Sequence, residues 1–288
     1  MKILLFGATG FLGTYLKQYL YKYSFLIYTI GRSHQCDISV DFNDLDSLSF
    51  KIEEIKPDII INMIAVTNVD ICEEDASSSS FAHITIPESI ASAINRINFY
   101  DPHIIHISTD QVYSGNGPHK ENKTNPVNIY AKTKLSGELV FNKMKSTIIR
   151  TNFVGKGSKK LSRESFSDWL FRSLKNKDEI TVFEDVYFNP LRLQSLARVI
   201  LHIIELGIFG IYNVGSNGSI SKANFAFKFA EQLGCSSKHL KIGFINDLKL
   251  KAIRPNDMTM NINKIESKLK MKLPTIESEI NNLAREYI

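Results

Sequence analysis

Along the first half of the chain, short unbroken apolar runs alternate with stretches in which apolar residues return every three or four positions. The runs Lys2–Phe6, Phe25–Ile30, Asp58–Ile64, Ile104–Ser108 and Ser146–Arg150 are rich in Ile and Leu and show no apolar–polar alternation, which predicts strands buried on both faces. Pro57 stands at the entry of the third, where a missing N–H costs the ladder nothing. Between the first two runs, Leu12, Tyr15, Leu16, Tyr19, Leu20 and Tyr23 fall on one helical face. Strands and helices in this order predict an α/β fold with a doubly wound parallel sheet.

Beyond Arg150 the pattern changes. Helices are predicted around Ser165–Lys175, Gln194–Leu206, Lys222–Leu233 and Thr275–Glu286, with short apolar stretches at Thr181–Phe183 and Gly210–Val214 between them. No linker rich in proline, glycine or serine separates the halves. Residues 1–150 are therefore expected to form a nucleotide-binding domain to which later segments return, and residues 151–288 a smaller α/β region that holds substrate. Ser77–Ser80 is read as a surface loop or helix start.

The first strand runs directly into Gly7-Ala8-Thr9-Gly10-Phe11-Leu12-Gly13 and then into the first helix. Glycines at these positions let the backbone turn tightly, approach a pyrophosphate and pack the helix on the sheet, while the helix start faces the phosphates. The fold is thus expected to be of the Rossmann type, with Gly7, Thr9, Gly10, Phe11, Leu12 and Gly13 at the cofactor. The second strand ends at Gly31-Arg32 without a carboxylate. A guanidinium there suits a 2′-phosphate, so NADPH is expected, with NADH the alternative. Asp41 and Phe42, after Ile38-Ser39-Val40, are expected beside the adenine.

Composition narrows the partners. Lys and Arg outnumber Asp and Glu by 35 to 30, a net charge of +5, and no basic stripe is interleaved with aromatics, so nucleic acid is not expected. The blocks Lys156–Lys160 and Lys249–Lys251 read as solvated surface, or as ground for an anionic small molecule. Cys36, Cys72 and Cys235 are too few and scattered for a disulfide framework or a zinc site, and no metal site is expected. No apolar run approaches the roughly 20 residues of a membrane span. A cytoplasmic protein with no membrane partner is the expectation.

The candidate chemistry lies in Ser108-Thr109-Asp110 at the end of the fourth run and in Tyr130-Ala131-Lys132-Thr133-Lys134. Tyr130 and Lys134 are four apart on a predicted helix and share a face. An ammonium beside a phenol favours phenolate, lowers its pKa and fits it for proton transfer. Thr109 offers a hydroxyl to a carbonyl or alcohol oxygen.

With the glycine turn, these residues resemble an extended short-chain dehydrogenase/reductase, and more closely the dTDP-4-dehydrorhamnose reductase group of nucleotide-sugar enzymes. The resemblance spans nearly the whole chain. It also includes Pro57–Asn62, Thr67-Asn68-Val69-Asp70, Ser108–Tyr113, Gly210–Val214 and Arg254-Pro255. It implies Tyr130 as general acid, Lys134 as the residue that tunes it and binds the nicotinamide ribose, Thr109 orienting the keto group, and Asp110 beside it. Met63, Ile64 and Ala65 would line the cofactor groove, and Asn152 would border the nicotinamide. Thr67, Val69, Phe153 and Arg254 would contact substrate, and a homodimer is the implied assembly. The activity implied is NADPH-dependent reduction of a nucleotide-linked 4-keto-6-deoxy sugar in deoxysugar and polysaccharide biosynthesis. A sugar epimerase on retained NAD and a non-catalytic NADP-binding regulatory subunit are the alternatives.

The chain departs from that group at several points. Gln111 follows Asp110 where related dehydratases have glutamate, and an amide cannot remove a ring proton, which disfavours dehydration. Thr85 stands where many relatives carry an asparagine that supports the catalytic helix. Val66 replaces an aromatic residue, and Tyr15 occupies a position where some place a metal-linked glutamate.

Overall fold

The apolar runs pair side by side in a computed structural model that describes residues 1–157 and 164–288. They form a parallel sheet of seven strands in the spatial order Gly210–Val214, Ser146–Thr151, His103–Thr109, Ile59–Asn62, Lys2–Phe6, Leu26–Gly31 and Ile38–Ser39. Phe6 is the pivot: it pairs with Ile30 on one side and Asn62 on the other. The chain first builds outward past Leu26–Gly31 and then returns to build the opposite edge, so the end of Lys2–Phe6 is the switch point at which such sheets bind ligands. Leu4, Leu5, Ile60, Ile61, Ile104 and Ile105 are fully buried, as unalternated apolar strands require. The expected doubly wound fold is present. Of the basic block Lys156–Lys160, residues Ser158, Lys159 and Lys160 lie outside the described residues.

The backbone groups into two compact units. The first comprises Met1–Thr109, Asn128–Arg150 and Val199–Tyr212, and the second Asp110–Val127, Thr151–Arg198 and Asn213–Ile288. In the first, Leu4, Phe6, Ile30, Ile60, Ile90, Ile104 and Phe141 share one core. In the second, Phe225 meets Phe188 at a tilt and stacks on Phe229, with ring centroids 5.5 and 6.1 Å apart, and Tyr287 meets Phe229 edge-on at 5.6 Å.

Two helical segments of the first unit position its chemistry. Asn128 caps the helix Ile129–Val140 by accepting from the Ala131 N–H at 2.8 Å, so Tyr130 stands in the first turn. The polar run expected at the surface forms the short helix Ala76–Ser80, capped by Asp75, and turns Ser79 fully inward. It continues into a widened π turn, Phe81–Thr85, a distortion often found beside functional sites. Gly137 of the longer helix allows the two to touch, because a Cβ there would lie 2.0 Å from the His83 carbonyl oxygen.

A buried ion pair ties the same helix to the sheet. Glu138 accepts from the Ser108 hydroxyl at 2.5 Å and from Arg150 Nε and Nη2 at 2.9 and 2.6 Å, and both charged side chains are at most 3% exposed. Removing one partner strands the other charge in the core. Glu138→Leu alone is expected to cost about 3–5 kcal/mol, and Glu138→Leu with Arg150→Met markedly less. Urea unfolding of the two variants checks this, and equal losses would contradict it.

Candidate active site

At the switch point a groove of about 280 Å³ is lined by the glycine turn, the end of Leu26–Gly31 and the loop after Ile59–Asn62. Gly7 adopts φ 80°, and a Cβ on it would stand 2.9 Å from the Met63 carbonyl carbon. A Cβ on Gly13 would stand 2.1 Å from the Gly7 carbonyl oxygen. Both positions therefore require glycine, one for conformation and one for space. The helix Phe11–Leu20 begins at Gly10 with no side-chain cap, which suits its start to an anion.

Among the expected cofactor residues, Gly7, Thr9, Gly10, Arg32, Phe42, Met63, Ile64 and Ala65 line this groove. Leu12 and Gly13 are buried in the helix packing behind it. The Asp41 carboxylate folds back locally and accepts from the Asn43 backbone and side chain at 3.0 and 3.1 Å, while the neighbouring Phe42 lines the wall. Ser33, Cys36 and Ile86 also line the groove, and no sequence motif marks them. Asp37, the carboxylate nearest in sequence to the strand end, accepts from Thr29 N and Oγ1 at 2.8 Å each. No acidic residue is among the groove's lining residues, and Arg32 stands exposed at its rim.

Tyr130 and Lys134 lie one turn apart on Ile129–Val140, both buried. The Lys134 ammonium donates to the Ile107 carbonyl at 2.7 Å, on the strand that ends at Thr109. Burial pulls this ammonium down to about pKa 8, while the Glu138 carboxylate pulls it back up. His83 meets the Tyr130 ring edge-on, with centroids 5.5 Å apart. Thr67 is exposed, and Val69 is the buried first residue of the helix Val69–Glu74.

The second unit carries Asp110, Asn152, Phe153 and Arg254. Asp110 is buried and accepts from Asn152 Nδ2 at 2.6 Å. Asn152, Gln111 and Arg254 line a cavity of about 390 Å³ with the aromatic walls Phe166, Trp169 and Phe183. Lys222, which no sequence motif marks, also lines it, with its ammonium 3.4 Å from the Phe188 ring centroid and 4.3 Å from that of Phe166. Burial pushes this ammonium down to about pKa 7, opposed by the charge of Asp110. Phe153 pairs in a short parallel strand with Leu191 and is not among the lining residues. Among the described residues, no group of three or more His, Cys, Asp or Glu could hold a metal ion, and no helix is long and apolar enough to cross a membrane.

A glycine turn at the switch point of a doubly wound sheet defines a Rossmann-type α/β protein. The particular family follows from comparison across the full length. The chain belongs to the family described as RmlD substrate binding domain, whose model matches residues 1–288. It is 29% identical to a dTDP-4-dehydrorhamnose reductase of Shigella flexneri over 99% of this chain and 98% of that one. A probable low-salt glycan biosynthesis reductase of Haloferax volcanii is 26% identical over 95% and 94%. In three dimensions the chain superposes with a TM-score of 0.88 on a dTDP-4-dehydrorhamnose reductase of Bacillus anthracis solved in complex with NADP, which is 24% identical and covered to 99% on both sides.

Three buried histidines make the fold sensitive to acid. Burial, reinforced by nearby lysines, pushes His83 down to about pKa 3 and His103 to about 4, and His106 well below its usual value. The folded chain keeps them neutral, whereas the unfolded chain protonates each near pH 6.5. Stability is therefore expected to fall as pH drops from 6.5 toward 4, by about 1.4 kcal/mol per pH unit for each histidine. A urea midpoint that stays constant from pH 7 to pH 4.5 would contradict this.

Proposed function

We propose that the protein is an NADPH-dependent reductase of a nucleotide-linked 4-keto-6-deoxy sugar, acting in deoxysugar biosynthesis. The observation that carries the reading is the buried Lys134 ammonium, hydrogen-bonded to the strand that ends at Thr109 and one helical turn from Tyr130. Family membership and the reductase names of the relatives point the same way.

The groove of the first unit fits the cofactor. The glycine turn has no room for a Cβ, the helix start is uncapped, and Arg32 meets no competing carboxylate from the lining. NADPH, when bound, supplies the hydride. Gly7, Thr9 and Gly10 would hold its phosphates, Arg32 its 2′-phosphate, and Met63, Ile64 and Ala65 the wall leading toward the nicotinamide. Tyr130 donates its phenolic proton to the sugar carbonyl oxygen, and the charge of Lys134 makes that proton easier to release. Thr109 donates a hydrogen bond to the same oxygen. In the second unit, the aromatic walls and the cations Arg254 and Lys222 suit a base and its phosphates. Gln111 provides no base for ring-proton removal at its position, which favours reduction over dehydration.

Purified protein is expected to oxidise NADPH with at least one member of a panel of nucleotide-linked 4-keto-6-deoxy sugars. Tyr130→Phe should lower kcat about 100-fold or more. The wild-type rate should fall as pH rises past about 8, where Lys134 loses its proton. Cofactor binding without turnover on any member of the panel would overturn the reading.

A further inference from the structure

We propose that His83 is a positioning residue, locking the helix that carries Tyr130 to the Met63–Val66 loop of the cofactor groove; this rests on the reductase reading above. His83 is fully buried in the π turn Phe81–Thr85. The Val66 N–H donates to its Nε2 at 3.0 Å, so that nitrogen carries no proton. The neutral ring then bears its proton on Nδ1, which faces Thr133 Oγ1 at 2.8 Å. Thr133 in turn donates to the carbonyl of Ile129, the residue before Tyr130, at 2.8 Å.

The result is one directed chain, from the Val66 N–H through imidazole and hydroxyl to the backbone of the catalytic helix. Ser79 supports its middle, with Oγ 3.3 Å from His83 Nδ1 and 3.2 Å from Thr133 Oγ1. Two further contacts fix the ring's own place. It packs edge-on against Tyr130 at 5.5 Å, and the absent side chain of Gly137 lets the His83 backbone reach the helix. Val66 directly follows Met63, Ile64 and Ala65 on the groove wall. The distance between proton donor and cofactor wall is thereby set by hydrogen-bond lengths instead of by apolar packing alone. Burial that keeps the imidazole neutral preserves the direction of every bond in the chain.

Three variants separate locking from simple support of the fold. His83→Gln places an amide oxygen where it can accept from Val66 but cannot reach Thr133; His83→Asn does the reverse; Thr133→Val removes the hydroxyl with little change of shape. Each is expected to lower kcat for keto reduction about tenfold or more while leaving the sugar KM within about twofold, since misplacement of reacting groups acts on the chemical step. The double variant His83→Gln with Thr133→Val should be no slower than His83→Gln alone. Unchanged kcat per folded molecule, with loss confined to melting temperature, overturns the proposal. Nitrogen-15 spectra of labelled histidine supply a readout independent of turnover. The expected signal is a His83 ring protonated at Nδ1 and bare at Nε2, perturbed by Thr133→Val. A ring protonated at Nε2, or one insensitive to Thr133→Val, also overturns the proposal. If the wild type reduces no keto sugar, the reductase reading fails, and the spectra decide the link between loop and helix by themselves.

Discussion

Lys134 and Glu138 sit one turn apart on a helix packed against the sheet, and neither reaches water. Charges so placed need hydrogen-bond partners at fixed positions, because an unpaired buried charge costs several kcal/mol. Lys134 finds the Ile107 carbonyl, and Glu138 finds Ser108 and Arg150. Ile107 and Ser108 belong to the strand that delivers Thr109. The register of helix on strand is thus set twice, by bonds that tolerate little slip, and Tyr130 inherits that register.

The cofactor side of the first unit obeys a different constraint, which is closeness of backbone. Gly7 and Gly13 bring the turn, the first helix and the Met63–Ile64 backbone to separations at which no side chain fits. Charge then refines the groove. Asp37 is drawn into hydrogen bonds with Thr29, which leaves Arg32 as the charged group on the rim. A groove with a cation and no carboxylate favours a phosphorylated ribose over a free one.

The parts of this arrangement that rest on local pattern were legible in the sequence. Unalternated Ile and Leu runs marked five of the seven strands of the sheet to within a few residues, and the glycine spacing marked the turn. The Tyr130–Lys134 spacing placed both residues on one helix face because the periodicity of a helix is local. Residues whose roles come from distant partners were not legible. His83 lies in a stretch with no motif, and its partners Val66 and Thr133 are 17 and 50 residues away. Ser79 looked like one of four interchangeable serines until the helix Ala76–Ser80 turned it inward. Lys222 opens a helix as any surface lysine might, and only the tertiary fold sets it over two phenylalanine rings.

On the reductase reading, the reaction is a net reduction in which carbon receives hydride and oxygen receives the proton from the phenol beside the buried ammonium. Transfer from NADPH carrying deuterium at both C4 positions of the nicotinamide tests this directly, by mass spectrometry of the sugar product. The account predicts one deuterium, located on the carbon that was the ketone. A product formed with no label at that carbon, or labelled there from deuterated solvent instead, would contradict it.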